Sequence, residues 1–147
     1  MKKMMKLAVL ALALVGIFSA ENVLAADSTQ VNVSATVIGS CSFAAPSYDM
    51  NFGSINVTDT GVKTATANVQ FTCTNNTTYA LDDFSGARNL VGPASENLAY
   101  NIAAYTTGAI ADGTLTTVPL VGSIAQADYQ AASAGLYTET LTLSINP

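Results

Sequence analysis

Apolar residues alternate with hydroxyl and amide residues over much of this chain, the period of two that marks strands with one face in a core and the other in water. Gln30 to Ile38 puts Val31, Val33, Ala35 and Val37 on one face. Thr64 to Cys73 places Val69, Phe71 and Cys73 together. Further strands are predicted over Asn51 to Val57, Tyr79 to Phe84, Leu98 to Tyr105, Thr117 to Ile124 and Tyr137 to Ile145. Between these runs lie turn formers: Asp59-Thr60-Gly61, Asn75-Asn76, Ser85-Gly86, Gly92-Pro93, Asp112-Gly113 and Gly135. Short strands so spaced predict an all-β sandwich. Ser123 to Ala134 is alanine-rich with a thin apolar stripe of Ile124, Ala127 and Ala131, and is read as a loop.

The pattern is different at the start. Met1 to Lys6 carries three lysines, and Leu7 to Phe18 is an apolar run too short to span a bilayer. Together they read as a secretory signal over residues 1–25, with cleavage after Ala25 or, as second choice, Ala26. The mature chain from Ala26 holds one domain. It retains two basic residues, Lys63 and Arg88, against nine acidic ones, a net charge of −7. Such a balance argues against nucleic acid as a partner. No later segment is apolar enough for membrane insertion of the mature chain. Cys41 and Cys73, both in an exported chain, are expected to form one disulfide. Closing a loop of about thirty residues, that bridge contributes roughly 3–4 kcal/mol on the chain-entropy account.

The two ends of the mature chain complement each other. The last predicted strand sets Tyr137, Leu141, Leu143 and Ile145 on one face, interrupted by Glu139, and runs to within two residues of Pro147. An immunoglobulin-like sandwich normally has a further strand there; without it, backbone donors and acceptors and a strip of core face water. The expected fold is therefore an incomplete immunoglobulin-like sandwich lacking its last strand. At the other end, the alternating segment from Gln30 is free to go elsewhere. A surplus strand and a missing strand suggest exchange between molecules.

Motifs for chemistry are weak. Asp59-Thr60-Gly61 matches the D-T-G of aspartic proteases but sits in a polar stretch and reads as a turn. Asp82 and Asp83 are adjacent, so on a strand they point to opposite faces and do not form an acid–base pair. With no histidine in the sequence, a zinc site or a histidine-activated serine has no basis. Neither do Asp82, Asp83 and Asp112 follow the spacing of a calcium loop. No cofactor, metal or catalytic residue is predicted, and the tyrosines are assigned mainly to core and sheet packing.

Certain segments are similar in order and spacing to a known family. They are the alternating run from Gln30 to Cys41, Asn51-Phe52-Gly53, Val69-Gln70-Phe71-Thr72-Cys73, Leu98-Ala99-Tyr100-Asn101-Ile102, Val118-Pro119-Leu120-Val121-Gly122 and Gly135-Leu136-Tyr137-Thr138-Glu139-Thr140-Leu141-Thr142-Leu143. Over nearly all of the mature chain this resembles the spore coat protein U domain pilins of archaic chaperone-usher pili. The resemblance implies a structural subunit, not an enzyme, that polymerises by donor-strand complementation and supports surface attachment and biofilm formation. Its implied partners are a periplasmic pilus chaperone, an outer-membrane usher and neighbouring pilin subunits. Its implied route is export through the periplasm to a cell-surface pilus. Residues 26–38 would then be the donor segment, with Val31, Val33, Ala35 and Val37 entering a neighbour's groove, and residues 39–147 the pilin domain. Tyr137, Leu141, Leu143 and Ile145 would line one wall of the acceptor groove. Burying four such side chains at about 1.5–3 kcal/mol each gives roughly 6–12 kcal/mol before entropy, which rivals the stability of an ordinary domain. The alternative is a monomeric secreted or periplasmic β-sandwich binding module.

Overall fold

The structure, a computed structural model, describes residues 27–147. The predicted signal segment, residues 1–25, lies outside the described residues. Two units are distinguished, one ending at Ala35 and one running from Thr36 to Pro147. Residues 27–35 of the first are exposed throughout and belong to no helix or strand.

The second unit is all-β with two antiparallel sheets. Its strands are β1 (Cys41–Phe43), β2 (Lys63–Cys73), β3 (Thr78–Leu81), β4 (Gly86–Val91), β5 (Asn97–Ile102), β6 (Gly108–Ile110), β7 (Leu115–Ile124) and β8 (Ile145–Asn146). A short helix, α1 (Gln126–Ala131), follows β7. The larger sheet has the order β1-β2-β7-β5-β4 and the smaller β6-β3-β8. The alternation read from the sequence is realised in β2, which buries Ala65, Ala67, Val69, Phe71 and Cys73 and turns Thr64, Thr66, Asn68 and Thr72 outward. Its partner β7 buries Val118, Leu120 and Ile124 in the same way. The two pair from Lys63↔Ile124 to Thr72↔Leu115, a long ladder that forms the spine of the larger sheet.

The core falls into two clusters. Phe71, fully buried, centres the first, with the Tyr79 ring edge-on at 4.9 Å between centroids and Leu81, Val118 and Leu120 around it. A disulfide joins Cys41 to Cys73 at a directly paired position of β1 and β2 and pins the entry of the chain to this cluster. Leu98, Tyr100, Ile102, Ile124 and Tyr129 form the second cluster.

Several sequence expectations give way here. Gln30 to Ile38 has a strand's alternation but no sheet partner among the described residues. Asn51 to Val57 is not a strand: Gly53 takes a φ of 71°, and its amide donates to Asn51 Oδ1, so the backbone turns where a ladder would need it extended. Met50, Phe52 and Ile55 nevertheless pack on the second cluster. Ser123 to Ala134 is not all loop, since β7 continues to Ile124 and α1 follows. The buried residue of that helix is Tyr129, whereas Ala127 and Ala131 are exposed. Finally, β4 was not predicted, because its inward-facing position at Arg88 breaks the apolar alternation.

Candidate functional site

The segment Tyr137 to Ile145 keeps the face expected of it. Tyr137, Glu139, Leu141, Leu143 and Ile145 are half-buried, and Leu136, Thr138, Thr140, Thr142 and Ser144 between them are exposed. Most of it is nevertheless unpaired. It touches β4 through reciprocal backbone bonds between Val91 and Thr138, at 2.9 and 3.0 Å, and joins the smaller sheet only at its end, where Ile145 lies opposite Leu81. From Glu139 to Leu143 there is no backbone–backbone hydrogen bond among the described residues. Backbone polar groups left in this state require a partner, either water or another strand.

Opposite this segment runs the stretch from Phe43 to Thr58, whose residues 46–55 likewise make no backbone–backbone bond among the described residues. The two stretches are the walls of an open groove of about 1430 Å³. Its floor is the larger sheet and the core beneath, reached through Ala67, Val69, Leu98, Tyr100 and Leu120. Small-molecule sites typically offer about 300–1,000 Å³, so this is a larger and longer space. Tyr137, Leu141 and Leu143 all line it. Ile145, expected on the same wall, does not. It is taken into β8 and packs on the first core cluster, beyond the end of the groove.

Close approaches and hydroxyl bonds hold the walls in place. A Cβ at Gly122 of β7 would collide with Met50 Sδ and Phe52, so glycine lets the first wall lie directly on the sheet. At Gly92 a Cβ would strike the Tyr137 ring, so glycine seats the head of the second wall. The Tyr137 hydroxyl also lies 2.9 Å from Glu96 Oε2 and 3.0 Å from the Ser133 carbonyl. Helix α1 anchors the end of the first wall: the Tyr129 hydroxyl is 3.0 Å from the carbonyls of both Asp59 and Gly61, Gln130 Nε2 donates to the Val57 carbonyl at 3.0 Å, and the Gly61 amide donates to Gln126 Oε1 at 2.8 Å. Tyr48 braces the other end by donating to the Gln70 carbonyl at 2.6 Å. Tyrosines assigned to packing thus serve equally as ties through their hydroxyls.

One charge interrupts the apolar wall. Glu139 accepts from Arg88 Nη2 at 2.7 Å and Nε at 3.2 Å through one oxygen, and from the Tyr100 hydroxyl at 2.7 Å through the other. Burial, and next the adjoining Glu139 carboxylate, push the Tyr100 hydroxyl up to about 12. Sequence reading marked Glu139 as an interruption of its apolar face but did not reach its partners, Arg88 and Tyr100, which stand on β4 and β5.

The remaining sites separate. Asp59-Thr60-Gly61 follows a turn at Val57-Thr58 that the Asp59 amide closes on the Asn56 carbonyl at 3.0 Å, and the Asp59 carboxylate lies 2.9 Å from Lys63 Nζ, a hydrogen bond that lowers the carboxyl below its usual range. Asp82 and Asp83 accept from the Ser144 and Ser85 amides respectively, on different loops. Among the described residues, no group of three or more metal-binding side chains gathers, and no helix is long and apolar enough to cross a membrane. The donor candidates Val31, Val33 and Val37 are 80%, 89% and 81% exposed, and Ala35 is exposed beside them. Apolar side chains so displayed at alternate positions form a strip without a core of its own.

Comparison with known proteins agrees with this architecture. No curated protein matches the sequence. The profile of the Spore Coat Protein U domain matches residues 27–144, from the exposed alternating segment through both walls of the groove. The chain therefore belongs to the Spore Coat Protein U domain family.

Proposed function

We propose that this protein is a structural subunit of a chaperone-usher pilus, built to receive a strand in its groove and to lend residues 26–38 to the groove of another copy. The family is associated with subunits of such pili and is not a known enzyme family. The observation that carries the reading is the unpaired backbone from Glu139 to Leu143, flanking a long apolar groove in a chain that also displays Val31, Val33, Ala35 and Val37 to solvent. An added strand supplies the missing backbone bonds, and its alternate side chains fill the space between the walls. A periplasmic chaperone occupies the groove during export, an outer-membrane usher exchanges the chaperone for the next subunit, and the product is a surface fibre for attachment and biofilm formation. Tyr137, Leu141 and Leu143 form the receiving wall.

A direct test mixes subunit deleted for residues 26–38 with a synthetic peptide of that sequence. Saturable binding and a rise in thermal midpoint that grows with peptide concentration are expected. A peptide with Val33→Asp should give neither. No rise with the native peptide at any concentration would overturn the reading.

A further inference from the structure

The wall that receives a strand has four inward positions in sequence, Tyr137, Glu139, Leu141 and Leu143, and the second is a carboxylate. The exposed segment offers four alternate side chains, Val31, Val33, Ala35 and Val37, of which the third is the smallest. Resting on the function proposed above, we infer that Glu139 is the register mark of assembly: the incoming strand of a second copy runs antiparallel to this wall with Ala35 against Glu139, Val33 against Leu141, Val31 against Leu143 and Val37 against Tyr137.

The physical case rests on what Glu139 tolerates. Its side chain retains 20% exposure while its oxygens are held by Arg88 and Tyr100. A valine laid over it strips the remaining water from a charged group, whereas the alanine methyl leaves room for that water. An antiparallel slip of two residues in either direction puts a valine on Glu139. So does a parallel strand with Val31 at Tyr137. A parallel strand that does set Ala35 on Glu139 faces Leu143 with Gly39 and leaves Val31 beyond Tyr137. One arrangement alone seats all three valines on apolar partners. The ion pair with Arg88 then has a purpose that packing does not give it: a uniformly apolar wall would accept several registers, and a single charge rejects every one that lays a valine on it.

The experiment fixes Leu141→Cys and combines it in turn with Val31→Cys, Val33→Cys or Ala35→Cys, leaving Glu139 intact in every variant. Fibres are heated in SDS without reductant and scored for covalent ladders. The ladder is expected from Val33→Cys, with several-fold less from the other two. A dominant ladder from Val31→Cys or Ala35→Cys overturns the register while leaving strand donation standing. Assembled fibres without a ladder from any pair overturn both the register and the use of this groove. As a second arm, Ala35→Leu should lower fibre yield by about tenfold or more, and adding Glu139→Ala should restore it. If the double variant assembles no better than Ala35→Leu alone, Glu139 does not read the donor.

Discussion

Strand β2 and the segment Tyr137 to Ile145 carry the same message in sequence and meet different fates. Both alternate inward apolar and outward hydroxyl residues, and both show that alternation in their burial. Yet β2 lies between β1 and β7 with partners along its length, while the later segment is unpaired from Glu139 to Leu143. Alternation therefore states which face of a strand wants a core and says nothing of whether a neighbour exists to complete the ladder. The buried faces differ as well. That of β2 is closed at Phe71 and Cys73 by aromatic contacts and a disulfide and meets the groove only as floor, at Ala67 and Val69, whereas that of the later segment forms a wall of it.

The contrast can be broken most completely from the donor side. Val33→Asp should abolish heat-sensitive, SDS-resistant polymer, because an unpaired charge in the groove costs several kcal/mol, while Ser34→Asp should leave most of it. Immunoblots of unheated cell-surface material read both. Equal losses would show that the segment enters no one-sided groove.

Next in size is the pair Phe71→Ala and Leu141→Ala. Phe71 is sealed in the finished core, so its truncation should cost about 3–5 kcal/mol in the isolated subunit and in the strand-complemented one alike. Leu141 borders open space, so its truncation should cost far less in the isolated subunit than in the complemented one. Denaturant titration of both forms checks this, and equal costs of Leu141→Ala in the two would mean that the groove is not where the strand binds.

Replacing both Cys41 and Cys73 by serine should lower stability by roughly 3–4 kcal/mol in either form, since the bond constrains the unfolded chain and not the groove. Guanidinium midpoints of the oxidised protein and the double variant give the comparison.

The smallest effect is confined to alkaline solution. The Tyr100 hydroxyl ionises at about 12 in the fold, above the ordinary value near 10. The neutral form is the one the fold favours, so this contribution is complete below pH 10 and is lost as pH rises toward 12. Ultraviolet titration should show a late ionising step that Tyr100→Phe removes, and the same variant should flatten the loss of stability across pH 10–12. An unchanged late step in that variant would assign it elsewhere.

Much of the sandwich was legible because β2, β5 and β7 bury uncharged side chains on a strict period of two, which needs no knowledge of neighbours. Strand β4 was missed because it turns Arg88 inward, a residue stable there only because Glu139 arrives from fifty-one residues away. No local pattern reports such a partner. Asn51 to Val57 was misread for the opposite reason: Phe52 and Ile55 do pack on the core, but Gly53 bends the backbone out of strand geometry. At the groove, the inward face of Tyr137 to Leu143 could be read from period alone. The opposite wall could not, since Met50 and Phe52 reach the sheet only through the space left by Gly122.

The pairing of the basic side chains has a consequence for proteolysis. From residue 27 onward Lys63 and Arg88 are the only points at which a trypsin-like protease can cut. Each lies in a strand of the larger sheet, Lys63 bound to Asp59 and Arg88 to Glu139. Cleavage at either site requires the strand to leave the sheet first, so the rate of digestion scales with the population of opened protein. Composition and strand placement together thus leave a trypsin-like protease two sites, both inside the larger sheet.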